Sequence, residues 1–160
     1  MSARDALADS LNVPAVRVLR LIRGNDLLAL LRRWGFNLLK KDSDHYGDAL
    51  VLGGCEVTLR ELAQAYAALG AGGVFHHLRW EEDAPEVPGV RLCSAASAFL
   101  VADILSDLER LPGLVRDKLR GTRLSVAFKT GTSYGLRDAW TVAFSPRFTA
   151  AVWFGDTGGT

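Results

Sequence analysis

The sequence predicts an α+β fold in which helices pack on an antiparallel sheet. Apolar residues recur at helical spacing through most of the first two thirds of the chain, whereas the last third contains strand-like apolar runs. Of the 160 residues, 49% are hydrophobic and 23% are charged, so the chain can bury a core and is not disordered by composition. We expect one domain over residues 1–160, mainly helical over 1–120 and an antiparallel β-meander over 121–160.

The first predicted helices lie within residues 3–34, where an apolar stripe recurs at helical spacing. Pro14 falls in a first turn, where proline is well tolerated because its missing N–H has no intrahelical partner there. Gly24 interrupts the stripe and Gly35 ends it. Residues 40–57 lack the periodicity, so we expect a loop there.

Two later helices carry their own start signals. Thr58 and Glu61 form a capping box, in which each side chain satisfies a backbone N–H at the helix start. The apolar stripe that follows ends at Gly70, and Ser94 can cap a helix that runs to Leu108. Short strands are expected in the irregular segment between these helices, at Val74–Phe75 and Val90–Leu92.

The last third predicts a meander of three strands. The segments with strand composition are Leu124–Phe128, Ala139–Phe144 and Phe148–Phe154. The three residues Ser145, Pro146 and Arg147 form a tight link between the last two strands. Consecutive strands joined by short links pair antiparallel, which completes the α+β prediction.

Charge and composition exclude several kinds of partner. Lys and Arg number 19 and Asp and Glu 18, so the net charge is +1, and no basic run indicates binding to nucleic acid. No apolar run is long enough to span a membrane, and no signal peptide is visible. Cys55 and Cys93 lack metal-site spacing and the histidines form no ligand pattern, so we expect no metal and no cofactor. Whether the two cysteines pair with each other stays open.

Two short motifs could carry chemistry. In Phe128–Thr132 a lysine at the end of a strand precedes small hydroxyl residues and a glycine, a combination that can seat a carboxylate. Taken alone, an ordinary strand that runs into a polar turn is the favoured interpretation. Ser10 and Asn12 could both face one cleft, although a serine or asparagine before a helix is normally an N-cap.

A third pattern, Gly131–Gly135, matches the G-x-S-x-G nucleophile elbow of hydrolases. That elbow needs a strand before it, a helix after it and a histidine later in the chain. A strand is predicted after Ser133 instead, and the last histidine is His77. We therefore exclude the hydrolase elbow.

Each motif is weak evidence alone, but together they occur in one order along nearly the whole chain, which makes them specific. In sequence they are Ser10–Asn12, Val13–Val16, Leu52–Gly54, Val57–Ala67 and Phe128–Thr132. This order resembles the transpeptidase domain of class A penicillin-binding proteins. The segment Phe128–Gly135, together with Arg137–Trp140, is most similar to the 1C type.

The resemblance implies the fold that these transpeptidases share with serine β-lactamases, here with an incomplete sheet. Its active site is built from the motifs S-x-x-K, S-x-N and K-T-G. By this resemblance Ser10 relays protons to the leaving amine, Asn12 holds the backbone of the donor peptide, and Lys129 sets the electrostatics of the cleft.

The resemblance also assigns the residues that bind substrate or β-lactam, namely Thr130, Gly131 and Thr132. The Thr132 hydroxyl would bond the carboxylate of the donor or β-lactam. Its backbone N–H would be one oxyanion donor, with the other supplied by the nucleophile itself.

The nucleophile motif is missing from this chain. The residues three positions before the four lysines are Asn37, Leu38, Val115 and Val126, so no S-x-x-K exists. We interpret this as a truncation: a partial transpeptidase domain without the upstream glycosyltransferase domain and membrane anchor. Acyl transfer needs a nucleophile and a base within hydrogen-bond reach, so we expect the chain to be inactive alone.

The resemblance further implies where the full-length protein that contains this chain would act, and on what. It would be a periplasmic D,D-transpeptidase that cross-links peptidoglycan stem peptides and binds β-lactams, whereas this chain would be soluble. The last strand would lack the neighbour that N-terminal strands supply in this fold, and an unpaired edge predicts self-association.

Two other hypotheses remain. The chain could be a non-catalytic module that binds stem peptides or a partner protein, and the DNA upstream of Met1 would discriminate between this and truncation. An unrelated α+β domain with chance motifs ranks last, because it must explain several matches in one order.

Overall fold

The computed structural model describes residues 1–107, 113, 116–117, 125–133, 135 and 137–156. It confirms the α+β prediction. The helices are α1 (Ala3–Ala8), α2 (Asn12–Ile22), α3 (Gly24–Arg33), α4 (Ser43–Tyr46), a 3-10 helix (Gly47–Leu52), α5 (Leu59–Gly70) and α6 (Ala95–Leu105). The strands are β1 (Val74–Phe75), β2 (Val90–Arg91), β3 (Ala127–Thr132), β4 (Asp138–Phe144) and β5 (Thr149–Gly155).

Among the described residues, the main sheet has three antiparallel strands in the order β3-β4-β5, and β1 pairs with β2 in a separate ribbon. Lys129 on β3 lies opposite Val142 on β4, and Gly131 lies opposite Trp140. Residues directly opposite each other share a face of an antiparallel sheet. The register therefore places Lys129 on the same face as the buried Val142.

The helices cover that face of the sheet. Ala127, Val142 and Phe144 are buried, and α5 and α6 contact the strands that carry them. The Phe144 ring centroid lies 5.6 Å from that of Tyr66 on α5. A second core forms among the helices, from the buried residues Leu28, Phe36, Leu39, Tyr46, Leu50 and Ala65. The sheet and the helical core thus meet along α5.

The start of α5 confirms the predicted capping box. The Glu61 N–H donates to the Thr58 hydroxyl (3.1 Å), and the Thr58 N–H donates to the Glu61 carboxylate (3.0 Å). The predicted stop at Gly70 is confirmed, because Gly70 is the last residue of the helix. The left-handed residue of the cap is Gly72, with φ +65°, two residues after the helix ends, and the Gly73 N–H donates to the Ala68 carbonyl (2.8 Å) in a Schellman motif.

Two predictions need correction. The expected loop at 40–57 contains α4 and the 3-10 helix, which are too short to show a helical period. The strand expected at 124–128 is β3, which runs from Ala127 to Thr132, so the K-T-G residues lie within the strand and not in a turn after it. Pairing with β4 overrides the low strand propensity of Gly131. The predicted limits Leu108 and Leu124 lie outside the described residues.

The described helices include none that is both long and apolar enough to cross a bilayer.

Candidate functional site

Ser10 lies between α1 and α2, in a backbone conformation that serine rarely adopts. Its φ is +54°, and its N–H donates to the Leu7 carbonyl (3.3 Å) while the Leu11 N–H donates to the Ala6 carbonyl (2.9 Å). These two bonds form a Schellman motif that ends α1, with Ser10 at the position that glycine usually occupies. The strained turn fixes where the Ser10 side chain leaves the backbone.

The N-cap interpretation of Ser10 and Asn12 is wrong. Leu11 is the N-cap residue of α2, without a side-chain capping bond, and Asn12 is the first residue of the helix. Neither polar side chain is therefore used to cap α2.

Lys129 reaches across from β3 to this turn. Its ammonium donates to the Ser10 hydroxyl and to the Thr130 carbonyl, the latter at 2.7 Å. Ser10 and Lys129 are 119 positions apart in the sequence, so the tertiary fold brings them together. Ser10 therefore has a lysine partner that its neighbours in the sequence do not show. In this arrangement the lysine is the donor, so it does not act as a base toward Ser10.

The six predicted site residues line one cleft of about 570 Å³, which we call the Ser10 cleft. They are Ser10, Asn12, Lys129, Thr130, Gly131 and Thr132. β3 is an edge strand among the described strands, so side chains from both of its faces border the cleft. Val51 and Leu52 of the 3-10 helix form another wall.

The Ser10 cleft is suited to an anion. Lys129 supplies a positive charge, and no carboxylate is present among the described lining residues. Hydroxyls from Ser10, Thr130 and Thr132 add hydrogen-bond donors. A Cβ added to Gly131 would approach only the Trp140 Cβ, at 3.8 Å, so packing does not demand glycine at this position. The glycine instead leaves the edge-strand backbone accessible from the cleft.

Ser133 has a structural role in the turn that follows. Its hydroxyl accepts the Asp138 N–H (2.8 Å), and its own N–H donates to the Asp138 carbonyl (3.0 Å). β4 begins at Asp138, whose carboxylate accepts the Trp153 indole N–H (2.9 Å). Among the described residues, β4 is the element that follows the G-x-S-x-G pattern, in agreement with our exclusion of the elbow. Tyr134 of that pattern lies outside the described residues.

A second cavity, of about 670 Å³, was not foreseen from the sequence. It separates the helical core from the sheet, and we call it the Trp34 cavity. Its larger lining side chains are mostly apolar and include Trp34, Phe36, Leu62, Tyr66, Trp140 and Val142. Lys129, Thr130 and Gly131 border both this cavity and the Ser10 cleft. Only tertiary packing creates the cavity, so no local motif signals it.

Cys55 and Cys93 are both free thiols. Burial, and secondarily the charge of Glu56, raise the pKa of the Cys55 thiol. Across the described part of the chain, no cluster of three or more His, Cys, Asp or Glu side chains could hold a metal ion.

Comparison with known proteins places the chain in a family, although no family profile matches it. Penicillin-binding protein 1C of Escherichia coli is 34% identical over 163 residues, which cover 100% of this chain and 20% of that protein. Penicillin-binding protein 1A/1B of Bacillus subtilis is 27% identical over 190 residues, covering 97% of this chain and 19% of that protein. The chain thus spans about one fifth of the length of these curated relatives.

A solved structure agrees on the fold. The crystal structure of Penicillin-Binding Protein 1A from Haemophilus influenzae superposes with a TM-score of 0.78 at 22% identity. The match covers 99% of this chain and 30% of that one. The chain therefore belongs to the class A penicillin-binding proteins, and its fold is that of part of their transpeptidase domain.

Proposed function

We propose that the chain supplies the S-x-N and K-T-G part of a peptidoglycan D,D-transpeptidase site, and that alone it forms no acyl-enzyme. The observation that carries the proposal is the Lys129–Ser10 hydrogen bond at the centre of one cleft. Two motifs that are distant in sequence are in contact there, as a shared site requires. That residues 1–160 form one domain, mainly helical up to residue 120 and a β-meander after it, stays a prediction.

The proposed roles follow from the groups that border the cleft. Ser10, held by the Lys129 ammonium, relays a proton to the leaving amine. Asn12 carries both a donor and an acceptor, which can pair with the backbone of an extended donor peptide. Lys129 keeps the cleft positive, which favours the carboxylate end of the donor.

The K-T-G strand binds the substrate carboxylate in this proposal. Thr130 and Thr132 present hydroxyls at the sheet edge, and the Thr132 hydroxyl is the proposed carboxylate ligand. The Thr132 backbone N–H is the proposed oxyanion donor within this chain. Gly131 allows the substrate backbone to approach the strand closely.

The chain lacks the S-x-x-K serine, and this is the basis for proposing that it is inactive. None of the four lysines has a serine three positions before it. Without the nucleophile, only binding and oxyanion contributions to the rate remain. The Ser10–Lys129 pair does not replace it, because an ammonium that donates to a hydroxyl does not take its proton.

The whole protein, in this proposal, acts on stem peptides and β-lactams at the periplasmic side of the bacterial inner membrane. No nucleic acid and no cofactor takes part.

The chain itself is proposed to self-associate through the β5 edge. Phe148, Val152 and Phe154 are 78%, 62% and 81% exposed there, and no charged residue interrupts β5.

Sedimentation velocity tests the self-association. We expect a mass above that of the monomer at high concentration, and a shift toward the monomer in Phe154→Lys. A chain that stays monomeric at every concentration would contradict this part of the proposal.

Substrate recognition is tested by NMR titration of the ¹⁵N-labelled chain with a stem peptide that ends in two D-residues. The stereoisomer with two L-residues is the control. We expect D,D-specific shifts at Ser10, Asn12 and Lys129–Thr132, and weaker binding to Thr132→Val. Equal shifts with both stereoisomers, or none in these residues, would contradict the proposed site.

A further inference from the structure

We propose that the two clefts on either side of Trp80 dock an extended peptide segment of a partner protein, acidic on one side of an apolar residue and basic on the other. Both clefts involve the loop 76–89, which joins β1 to β2. Among the residues that the structure describes, neither cleft shares a lining residue with the Ser10 cleft. The inference therefore goes beyond the proposed transpeptidase role and does not depend on it.

Trp80 forms an exposed apolar ridge between the two clefts. It is 77% exposed, and together with His77 and Leu78 it lines both clefts. Val87 is exposed in one cleft and Val90 in the other. Clustered exposed apolar side chains mark interaction sites, and tryptophan is enriched among the residues that dominate binding energy. An apolar residue of the partner would pack on this ridge.

The cleft on one side of Trp80, which we call the basic cleft, measures about 400 Å³ and is lined by Arg32, Arg33 and Arg60. No carboxylate is among its described lining residues. Arg33 and Arg60 are exposed, and within the described part of the chain neither has an ion pair or a hydrogen bond. Arg32 donates to the carbonyls of Leu39 (2.8 Å) and Lys41 (2.7 Å), which are uncharged. Arginine binds carboxylates through two parallel hydrogen bonds, so this cleft suits the acidic side chains of a partner.

The cleft on the other side of Trp80, which we call the acidic cleft, measures about 330 Å³. Glu81 and Glu86 line it together with one arginine, Arg79, whose guanidinium donates to the Glu82 carbonyl. The carboxylates of Glu82 and Asp83 belong to the same loop. A uniformly charged polyanion, such as nucleic acid or an anionic membrane, would be attracted to one cleft and repelled at the other. A partner with both signs of charge complements the two clefts.

The loop that carries Trp80 is held by packing at both ends. A Cβ added to Gly89 would lie 2.5 Å from the Val74 Cγ1 atom and 2.6 Å from the His76 Cε1 atom, so glycine lets the end of the loop pack against its start. The His77 ring meets the buried Phe75 ring edge-on, with centroids 5.4 Å apart. A loop that is ordered before binding loses less entropy when a partner binds. The ridge can therefore contribute affinity even for a short peptide.

An extended chain fits these clefts better than a helix. An α-helix with its side chains is about 10–12 Å wide, whereas an extended strand places successive residues about 3.3 Å apart along one narrow backbone. Such a strand can lay a few side chains in each cleft and cross the ridge between them. About ten residues are enough for an acidic stretch, an apolar centre and a basic stretch.

The test uses synthetic peptides of about ten residues with an acidic block of Asp and Glu, a Pro-Leu centre and a basic block of Lys. A second peptide has the blocks in the reverse order, so that both chain directions are tried. A peptide of the same composition with alternating charges is the control. Fluorescence anisotropy of the labelled peptides gives the Kd, and the Trp80 indole N–H signal in NMR, assigned with Trp80→Phe, reports where they bind.

We expect at least one block peptide to bind and to shift the Trp80 indole signal. Trp80→Ala should weaken its binding about ten-fold or more, and Arg33→Ala combined with Arg60→Ala should do the same. Phe99→Ala and Arg17→Ala replace exposed residues outside both clefts, and they should change the Kd by less than about two-fold. The replaced side chains are all exposed, and circular dichroism of each variant checks that the fold is kept.

Several results would overturn the inference. One is equal binding of the alternating-charge peptide, and another is an unchanged Trp80 indole signal at millimolar concentrations of both block peptides. Tighter binding of single-stranded DNA of about ten nucleotides, or of vesicles with anionic lipid, would assign the surface to a polyanion instead. None of these results bears on the Ser10 cleft, so this inference and the proposed function can fail separately.

Discussion

Replacement of Glu61 tests how the helical core is held beside the site. The Glu61 side chain is only 4% exposed, and its carboxylate accepts the Asn37 N–H (2.8 Å), the Thr58 N–H (3.0 Å) and the Thr58 hydroxyl (3.1 Å). It therefore caps α5 and also fixes the chain segment that follows α3. Glu61→Ala removes every one of these acceptors at once.

The magnitude follows from those bonds. A hydrogen bond to a charged group contributes about 1.5–3 kcal/mol. Water can take the place of the carboxylate at donors that are partly exposed, which reduces the net loss of stability. We therefore expect Glu61→Ala to lower the free energy of unfolding by about 2–4 kcal/mol. Glu61→Gln keeps one acceptor oxygen, so its loss should be about 1 kcal/mol.

The assay is urea unfolding followed by tryptophan fluorescence, with exposed Glu82→Ala as the matched control. That control should change the free energy of unfolding by less than about 0.5 kcal/mol. If Glu61→Ala falls within the same range as the control, the account of the capping box and its link to Asn37 is refuted.

The same carboxylate predicts a pH dependence. Burial acts to raise the pKa of Glu61, but hydrogen bonds from Thr58 and Asn37 outweigh it, and the pKa is lowered. A lowered pKa in the folded state stabilises the protein above the pKa of the unfolded state, and the gain is lost as pH falls through the folded value. The stability difference between wild type and Glu61→Gln should therefore be largest near neutral pH. It should shrink below about pH 4, and a constant difference would contradict this cause.

Three further substitutions have defined outcomes in the same unfolding assay. Ser10→Gly relieves the positive φ and should stabilise the fold by about 0.5–1 kcal/mol; destabilisation would show that the Lys129 contact outweighs the strain. Asp138→Ala leaves the Trp153 indole N–H unpaired and should cost about 1–2 kcal/mol, while Asp138→Asn should cost less. Gly70→Ala would place a Cβ 2.5 Å from the Ser145 carbonyl oxygen; it should cost about 1–3 kcal/mol, and a neutral result would contradict this close packing.

Local chemistry explains which elements were predictable from sequence. The Thr58–Glu61 capping box and the Ser94 cap depend on residues within one helical turn, so their signals are complete in the sequence. Gly70 was correctly predicted as the end of α5, but the left-handed cap at Gly72 was not, because Gly70 gives the same signal two residues earlier. The close packing of Gly70 against the Ser145 carbonyl is a tertiary contact, which no local pattern contains.

The candidate site was predictable only as a set of residues. Motif order pointed to Ser10, Asn12 and the K-T-G strand, but not to their geometry. A serine at a Schellman position that favours glycine runs against local preference, so sequence patterns pointed to an N-cap instead. The Lys129–Ser10 contact and the Trp34 cavity arise from tertiary packing, which periodicity does not encode.

Intact-protein mass after incubation with excess penicillin tests whether this chain can form an acyl-enzyme by itself. We expect an unchanged mass for this chain, because the cleft holds the proposed S-x-N and K-T-G residues without an S-x-x-K serine. A stoichiometric penicilloyl adduct would contradict it. Peptide mapping and the variants Ser10→Ala and Ser133→Ala would then identify the nucleophile.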